Sequence, residues 1–90
     1  ALLGVCARVE APDKTLRLEV ATTEPGLQLY TGVGLRQLAP GIDGQIHRPY
    51  GGFCLETQRF PDAPNQRHFP SAILRPGETY RNVVEYRFMS

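Results

Sequence analysis

The chain has 90 residues and a formal net charge of +1, and it is 41% hydrophobic and 21% charged. This length allows one small domain, and the composition is that of an ordinary globular protein rather than a disordered one. The scattered arginines give no electrostatic case for a nucleic-acid partner, and no apolar run approaches the ~20 residues that cross a membrane.

The first third of the chain predicts three short β-strands. Ala7–Ala11 is followed by a turn at Pro12-Asp13-Lys14, where proline and aspartate favour chain reversal. Thr15–Thr23 alternates apolar and polar residues and is predicted to form a hairpin with its predecessor. A second turn at Glu24-Pro25-Gly26 leads to a strand at Leu27–Thr31.

The remainder of the chain alternates loops with strands. Gly32–Gly52 is rich in glycine and proline and predicts a long loop, of the kind that often carries function. Phe53–Gln58 predicts a strand, and Phe60–Pro70 predicts a proline-restricted loop. Ser71–Leu74 and Thr79–Met89 predict two further strands. About six strands with short connections indicate an all-β fold, an antiparallel β-sandwich.

The two cysteines, Cys6 and Cys54, lie in no CxxC motif and in no run of metal ligands. The start of the chain, ALLGVCA, has no basic leader and is interpreted as a strand entering a sheet rather than as a signal peptide. These features favour buried free thiols in a reducing compartment over a disulfide between the two cysteines, and therefore a cytoplasmic location.

Three motifs identify a family. They are TTEPGLQLYTG at residues 22–32, GGFCLETQRFPDAPNQ at residues 51–66, and FPSAILRPGETY at residues 69–80. Together they resemble the C-terminal region of the aldose 1-epimerase family, over about residues 7–88. The LETQ strand end followed by an aromatic residue and PDAPN is the most specific part.

The resemblance implies that residues 1–90 are the C-terminal segment of a single aldose 1-epimerase domain, with the upstream part absent from this chain. Its fold would be part of a galactose-mutarotase-like β-supersandwich. The implied reaction is the interconversion of α and β anomers of free aldohexoses such as galactose and glucose, without a metal or other cofactor. Glu56 of the LETQ motif matches the family's general base, and Gln28 of the PGxQxYTG motif matches a sugar contact.

Two other aromatic residues are candidates for the sugar cleft. Tyr30 alternates onto the same side of its strand as Gln28, and Phe60 follows the strand of Glu56. Phe60 could instead pin the proline loop, and Tyr30 could be an ordinary packed tyrosine. Glu56 itself could be solvated, or could pair with the nearby Arg59.

The chain departs from the family pattern at two points. Val33 and Gly34 follow the YTG motif where the family usually has asparagine and an aromatic residue. The family's general acid is an upstream histidine, whereas His47 and His68 both lie in predicted loops without the context of that acid. The rest of the domain is therefore expected to complete the site, and little activity is expected of the chain alone.

Two other functions remain open at this stage. A hexose-6-phosphate 1-epimerase would need an arginine cluster for the phosphate, and the scattered arginines argue mildly against it. A non-catalytic sugar-binding module on the same sandwich would not need the glutamate of the LETQ motif.

Overall fold

The computed structural model describes residues 2–37 and 39–90 and has five strands, all paired antiparallel. The strands are β1 (Gly4–Glu10), β2 (Arg17–Thr22), β3 (Gly26–Tyr30), β4 (Cys54–Gln58) and β5 (Val84–Met89). The predicted all-β, antiparallel fold class is confirmed. Within the described ranges, no helix has both the length and the apolar character needed to cross a membrane.

β1, β2 and β5 form a three-stranded sheet with β2 in the centre. The turn after β1 forms as predicted: Lys14 N donates to the carbonyl of Ala11, and Lys14 has a φ of 62°. β2 then carries apolar residues on one face, where Val20 lies opposite Tyr86 and Leu18 lies opposite Phe88. This alternation is the one that the sequence predicted.

The other face of this sheet is charged. Glu19 lies opposite Arg8 on one side and opposite Arg87 on the other. Arg8 Nε donates to Glu19 Oε2 at 3.0 Å, although three quarters of the Arg8 side chain is exposed. An ion pair this exposed adds little stability, so this face is best understood as the solvated side of the sheet.

β3 and β4 form a separate two-stranded sheet with five residue pairs, from Gly26↔Gln58 to Tyr30↔Cys54.

The long loop between β3 and β4 is closed at its base, because the carbonyl of Gly32 accepts a hydrogen bond from Tyr50 N at 3.1 Å. Gly32 has a φ of +77°, and a Cβ there would lie 2.9 Å from the carbonyl oxygen of Gly52. Glycine is therefore required at this point. The long loop is confirmed in its described residues, and Leu38 lies outside them.

Further hydrogen bonds hold β5 to its neighbours. Thr23 N donates to the carbonyl of Val83 at 3.0 Å, and Val83 N donates to Thr23 Oγ1 at 3.0 Å. The hydroxyl of Tyr86 also donates to the carbonyl of Leu55 at 3.3 Å. The Thr23–Val83 bonds extend the pairing of β2 with β5 past Thr22↔Val84, and the bond from Tyr86 ties the middle of β4 to β5.

The described residues bury very little side-chain surface. Val20 is the one large side chain that is fully buried, whereas Leu29, Phe88 and Ile73 are each more than 60% exposed. The radius of gyration is 16.9 Å. A compact domain of this length would have a radius of about 12 Å. The strands therefore form without a core of their own, and the packing of a sandwich stays a prediction.

The strand boundaries differ from the prediction in three places. β1 begins at Gly4 rather than Ala7, because a bulge between Val5 and Ala7 interrupts the alternation from which the strand was predicted. β5 begins at Val84 because its partner β2 ends opposite it, at Thr22. The predicted strand at Ser71–Leu74 is wrong, since no described strand lies beside it. The other three strands match their predicted bounds within two residues.

The loop predicted at Phe60–Pro70 contains one turn of 3-10 helix, Ala63–Asn65. Proline within this turn is compatible with a helix start, because the first amides of a helix need no partner within it. The loop is therefore more ordered than its proline content alone suggested.

The prediction of buried thiols is wrong for this chain. Both cysteines are free, but Cys6 and Cys54 are exposed. Cys6 lies at the bulge of an edge strand, and Cys54 begins a strand of the two-stranded sheet. Neither position is covered by another layer of the described residues.

Candidate functional site

The cross-strand register of β3 and β4 brings the two motif residues together. Gln28 lies directly opposite Glu56 in this antiparallel pair. Opposed residues of an antiparallel ladder project to the same side, with Cβ atoms about 5 Å apart. Both side chains are exposed. An amide and a carboxylate, separated by a long stretch of sequence, thus lie side by side on one open sheet face.

Tyr30 belongs to the same face, as its two-residue spacing from Gln28 predicted. Its hydroxyl accepts a hydrogen bond from Gly34 N at 3.0 Å. A Cβ on Gly34 would lie 3.3 Å from that hydroxyl. Leu35 N also donates to the carbonyl of Gly32, so the residues that depart from the family pattern, Val33 and Gly34, form a tight turn. This turn holds the ring of Tyr30 beside the face.

Phe60 lies at the end of the face, against the backbone of Gly26. A Cβ on Gly26 would lie 3.1 Å from one ring carbon of Phe60 and 3.0 Å from the carbonyl of Gln58. The ring also packs on Phe69, with ring centroids 4.8 Å apart. Phe60 therefore anchors its loop, and a contact with sugar stays a prediction.

Glu56 does not form the ion pair with Arg59 that the sequence left open. Arg59 instead lies 3.4 Å from Glu24, measured from Nε to Oε2, and the Glu24 side chain is only 3% exposed. In the part of the chain that the structure describes, Glu56 takes part in no salt bridge. Its carboxylate is therefore open to a ligand from the exposed side of the sheet.

The loop after β4 is organised by Asp62. Its carboxylate oxygens accept from Asn65 Nδ2 at 2.8 Å and from Gln66 Nε2 at 2.7 Å. The carboxylate of Asp62 thus bonds two side chains of its own loop. The hydrogen bonds from Asn65 and then Gln66 hold the pKa of Asp62 below its usual value of 3.8.

This lowered pKa predicts how the loop responds to acid. The carboxyl of Asp62 has a lower pKa in the folded chain than in the unfolded chain. The ionised carboxylate therefore stabilises the folded loop above about pH 3.8, and this stabilisation is lost as the pH falls through the folded pKa. An NMR titration of the Asp62 carboxyl should give a pKa below 3.8. Asn65→Ala should move it back upwards, and a wild-type value at or above the usual one would contradict the prediction.

The two histidines lie in loops outside β3 and β4. His47 is exposed in the long loop, where its backbone N donates to Gln37 Oε1 at 2.8 Å. His68 packs edge-on against Phe69, with ring centroids 4.6 Å apart. Neither belongs to the residues that β3 and β4 place beside Glu56.

A cavity of about 540 Å³ borders Arg59. Its walls include Ser71, Ile73, Tyr80 and Arg81, but not Glu56, Gln28 or Tyr30. Most of its lining residues belong to the motif at residues 69–80, but none of the four candidate site residues, Gln28, Tyr30, Glu56 and Phe60, is among them. The face around Glu56 is open rather than enclosed.

One buried group was missed by sequence reasoning. Glu24 was predicted only as part of a turn, yet its carboxylate is buried beside Arg59. The signal in the sequence was weak, because the two residues are far apart and glutamate is common in turns. Their proximity depends on the β3–β4 pairing, which ends at Gly26↔Gln58.

The described residues thus define an all-β protein that presents a carboxylate and an amide side by side on an exposed sheet face. Residues 3–87 match the profile of the family described as Aldose 1-epimerase. The chain belongs to the aldose 1-epimerase family.

Individual relatives agree with this assignment. The chain is 47% identical over 83 residues to the galactose mutarotases of Rattus norvegicus and Homo sapiens, which covers 92% of this chain and 24% of each relative. It is 38% identical over 88 residues to the aldose 1-epimerase of Escherichia coli strain K12, covering 96% of this chain and 25% of the relative. The chain spans about a quarter of the length of these relatives.

Proposed function

We propose that this chain supplies the general base of an aldose 1-epimerase, and that Glu56 is that base. The observation that carries the proposal is the pairing of Gln28 with Glu56 on one exposed face. The two residues that match the family's sugar-site motifs are adjacent in space, and the carboxylate is in no salt bridge among the described residues.

The chemistry of mutarotation suits a carboxylate at this position. Glu56 accepts the proton of the hydroxyl on C1 while the bond between C1 and the ring oxygen breaks. The electron pair of that bond stays on the ring oxygen, which takes a proton from a general acid. Rotation about the C1–C2 bond and reclosure on the other face of the aldehyde give the opposite anomer. A positioned base contributes about 100- to 10,000-fold to such a reaction.

The neighbouring residues have distinct roles in this proposal. Gln28 donates or accepts a hydrogen bond with a sugar hydroxyl next to the one that Glu56 deprotonates. Tyr30 and Phe60 border the same face and offer aromatic surface to the sugar ring. The turn at Gly34 and the packing on Phe69 support these two rings.

We propose further that the chain is one segment of a single epimerase domain, whose remaining part covers the apolar faces and supplies the general acid. Three observations support this: the open radius of gyration, the exposed apolar side chains and the match to a quarter of each relative. In the proposal, the walls of the sugar cleft come from that remaining part.

A polarimetric assay of the complete protein tests the activity. Fresh α-galactose and fresh α-glucose should reach their equilibrium rotation faster with the protein than without it. No acceleration together with saturable galactose binding would indicate a sugar-binding module. A rate on glucose 6-phosphate much higher than on glucose would favour a hexose-6-phosphate epimerase.

Gln28→Ala in the complete protein should raise KM for galactose about fivefold, because it removes one hydrogen bond to the sugar, worth about 1 kcal/mol. The same assay, run over a range of galactose concentrations, measures KM and kcat. Gln58→Ala, on the same face but at the end of the ladder, is the matched control and should leave KM nearly unchanged. Equal effects of the two variants would remove Gln28 from the sugar site.

We propose a cytoplasmic location on the basis of the two free thiols, which a reducing compartment preserves. Fractionation of cells that express the complete protein checks this. Recovery in an oxidising compartment would contradict it.

A further inference from the structure

A buried ion pair lies at the end of the β3–β4 ladder. Glu24 belongs to the turn between β2 and β3, and Arg59 is the first residue after β4. Arg59 Nε lies 3.4 Å from Glu24 Oε2, and the two side chains are 38% and 3% exposed. The pair therefore combines an almost fully buried carboxylate with a guanidinium that keeps some contact with solvent.

The same two residues are held by other segments. Glu24 N donates to Thr22 Oγ1 at 3.0 Å, and Thr22 is itself only 5% exposed. The guanidinium of Arg59 lies 5.8 Å from the centre of the Tyr80 ring, within the range of a cation–π contact. The pair thus joins the end of β2, the end of β4 and the segment that leads into β5.

Glu24 depends strongly on Arg59. Its second carboxylate oxygen, Oε1, is buried and has no hydrogen-bond partner among the described residues. Arg81 and Val83 line the same cavity of about 260 Å³ as Glu24 and Arg59. A buried carboxylate is costly without a compensating charge, so Arg59 stabilises the turn by holding Glu24 in place.

The ion pair lies where it can fix the register of β3 against β4. Gly26↔Gln58 is the final pair of the ladder; Glu24 lies in the turn just before Gly26, and Arg59 directly follows Gln58. A slip of one residue would move Glu56 to the opposite face of the sheet, away from Gln28. Setting register is the best-supported role of buried ion pairs in proteins.

We propose that Glu24 and Arg59 are a positioning pair that holds Glu56 opposite Gln28 in the reactive register. This inference rests on the function proposed above. Neither residue touches the sugar, and both act through the alignment of β3 and β4.

The test uses Glu24→Ala in the complete protein. This variant leaves Arg59 unpaired but partly solvated, whereas removal of Arg59 would leave a buried, unpaired carboxylate. A small displacement of a reactive group can cost about 100-fold, so we expect kcat to fall at least tenfold and KM to rise. Glu24→Gln keeps an oxygen that accepts from Arg59 Nε, and it should stay within about threefold of the wild-type kcat. Rates are measured on galactose by polarimetry, well below the unfolding temperature of each variant.

Glu19→Ala is the matched control. It removes another glutamate whose Oε2 meets an arginine Nε, at 3.0 Å from Arg8, but on the solvated face of the larger sheet. It should leave kcat and KM unchanged. Arg59→Ala should lower kcat at least as much as Glu24→Ala, because it leaves the buried carboxylate of Glu24 unpaired. The double variant should be no worse than Arg59→Ala alone, because the two residues act as one unit.

Three outcomes would overturn the proposal. The first is a Glu24→Ala variant as active as Glu19→Ala, and the second is a Glu24→Gln variant as impaired as Glu24→Ala. The third is a double variant in which the losses of kcat caused by Glu24→Ala and by Arg59→Ala multiply. If Glu56→Gln is inactive in the same series while Glu24→Ala is normal, the positioning role fails and the proposed function stands. If Glu56→Gln retains the wild-type rate, the proposed function itself fails.

Discussion

Glu56→Gln in the complete protein should lower kcat for galactose mutarotation by at least about 100-fold. Glutamine has nearly the shape of glutamate, but its amide does not accept the proton of the C1 hydroxyl. Since the carboxylate lies beside Gln28 on an exposed face, the substitution should leave the backbone and the neighbouring side chains in place. Polarimetry on fresh α-galactose measures the change directly, and KM should alter much less than kcat.

Glu85→Gln provides the control for this prediction. Glu85 is an exposed glutamate on β5, 3.6 Å from Arg87, and it has no part in the β3–β4 face. Its replacement should leave the rate of mutarotation unchanged. A Glu56→Gln variant that equilibrates anomers as fast as Glu85→Gln would remove Glu56 from the mechanism.

Val20→Asp should destabilise the complete protein by about 3 kcal/mol or more. Val20 is 0% exposed in the centre of the three-stranded sheet, where it lies between Ala7 and Tyr86. A carboxylate there loses its hydration without gaining an opposite charge. Because a folded protein is stable by only about 5–15 kcal/mol, much of its stability would be lost. Urea unfolding gives the change in the free energy of unfolding.

Val20→Thr separates the effect of charge from that of shape. Threonine has nearly the same shape as valine and adds only a hydroxyl, whose burial costs about 1–3 kcal/mol in proteins. The loss should therefore be clearly smaller than for aspartate. A Val20→Asp variant as stable as Val20→Thr would show that this position is hydrated in the complete protein.

The strands were largely predictable from their alternation of apolar and polar residues. β2, for example, has the expected faces, with Val20 on one side and Glu19 on the other. The alternation failed at β1, where a bulge at Cys6 adds one unpaired residue and shifts the pattern. It also failed at Ser71–Leu74. A β-strand needs a hydrogen-bonded neighbour as well as a suitable sequence pattern, and no described strand pairs with these residues.

The sequence predicted which residues belong to the candidate site, but not how they are arranged in space. The motifs singled out Gln28 and Glu56, and alternation placed Tyr30 on the side of Gln28. Only the pairing of β3 with β4 set Gln28 opposite Glu56, because register depends on contacts between distant segments. The same holds for Arg59, which the sequence offered as a partner of Glu56 and the structure pairs with Glu24.

The sequence by itself determined the all-β class, the family and the identity of the residues in the candidate site, since these follow from local alternation and from motifs. The tertiary structure decided which side chains are neighbours, which glutamate is buried in an ion pair and which is open to a ligand. The physical reason is that burial and pairing arise from contacts between strands far apart in the chain. A glutamate in β4 and a glutamate in a turn are chemically identical until the fold surrounds one of them and leaves the other exposed.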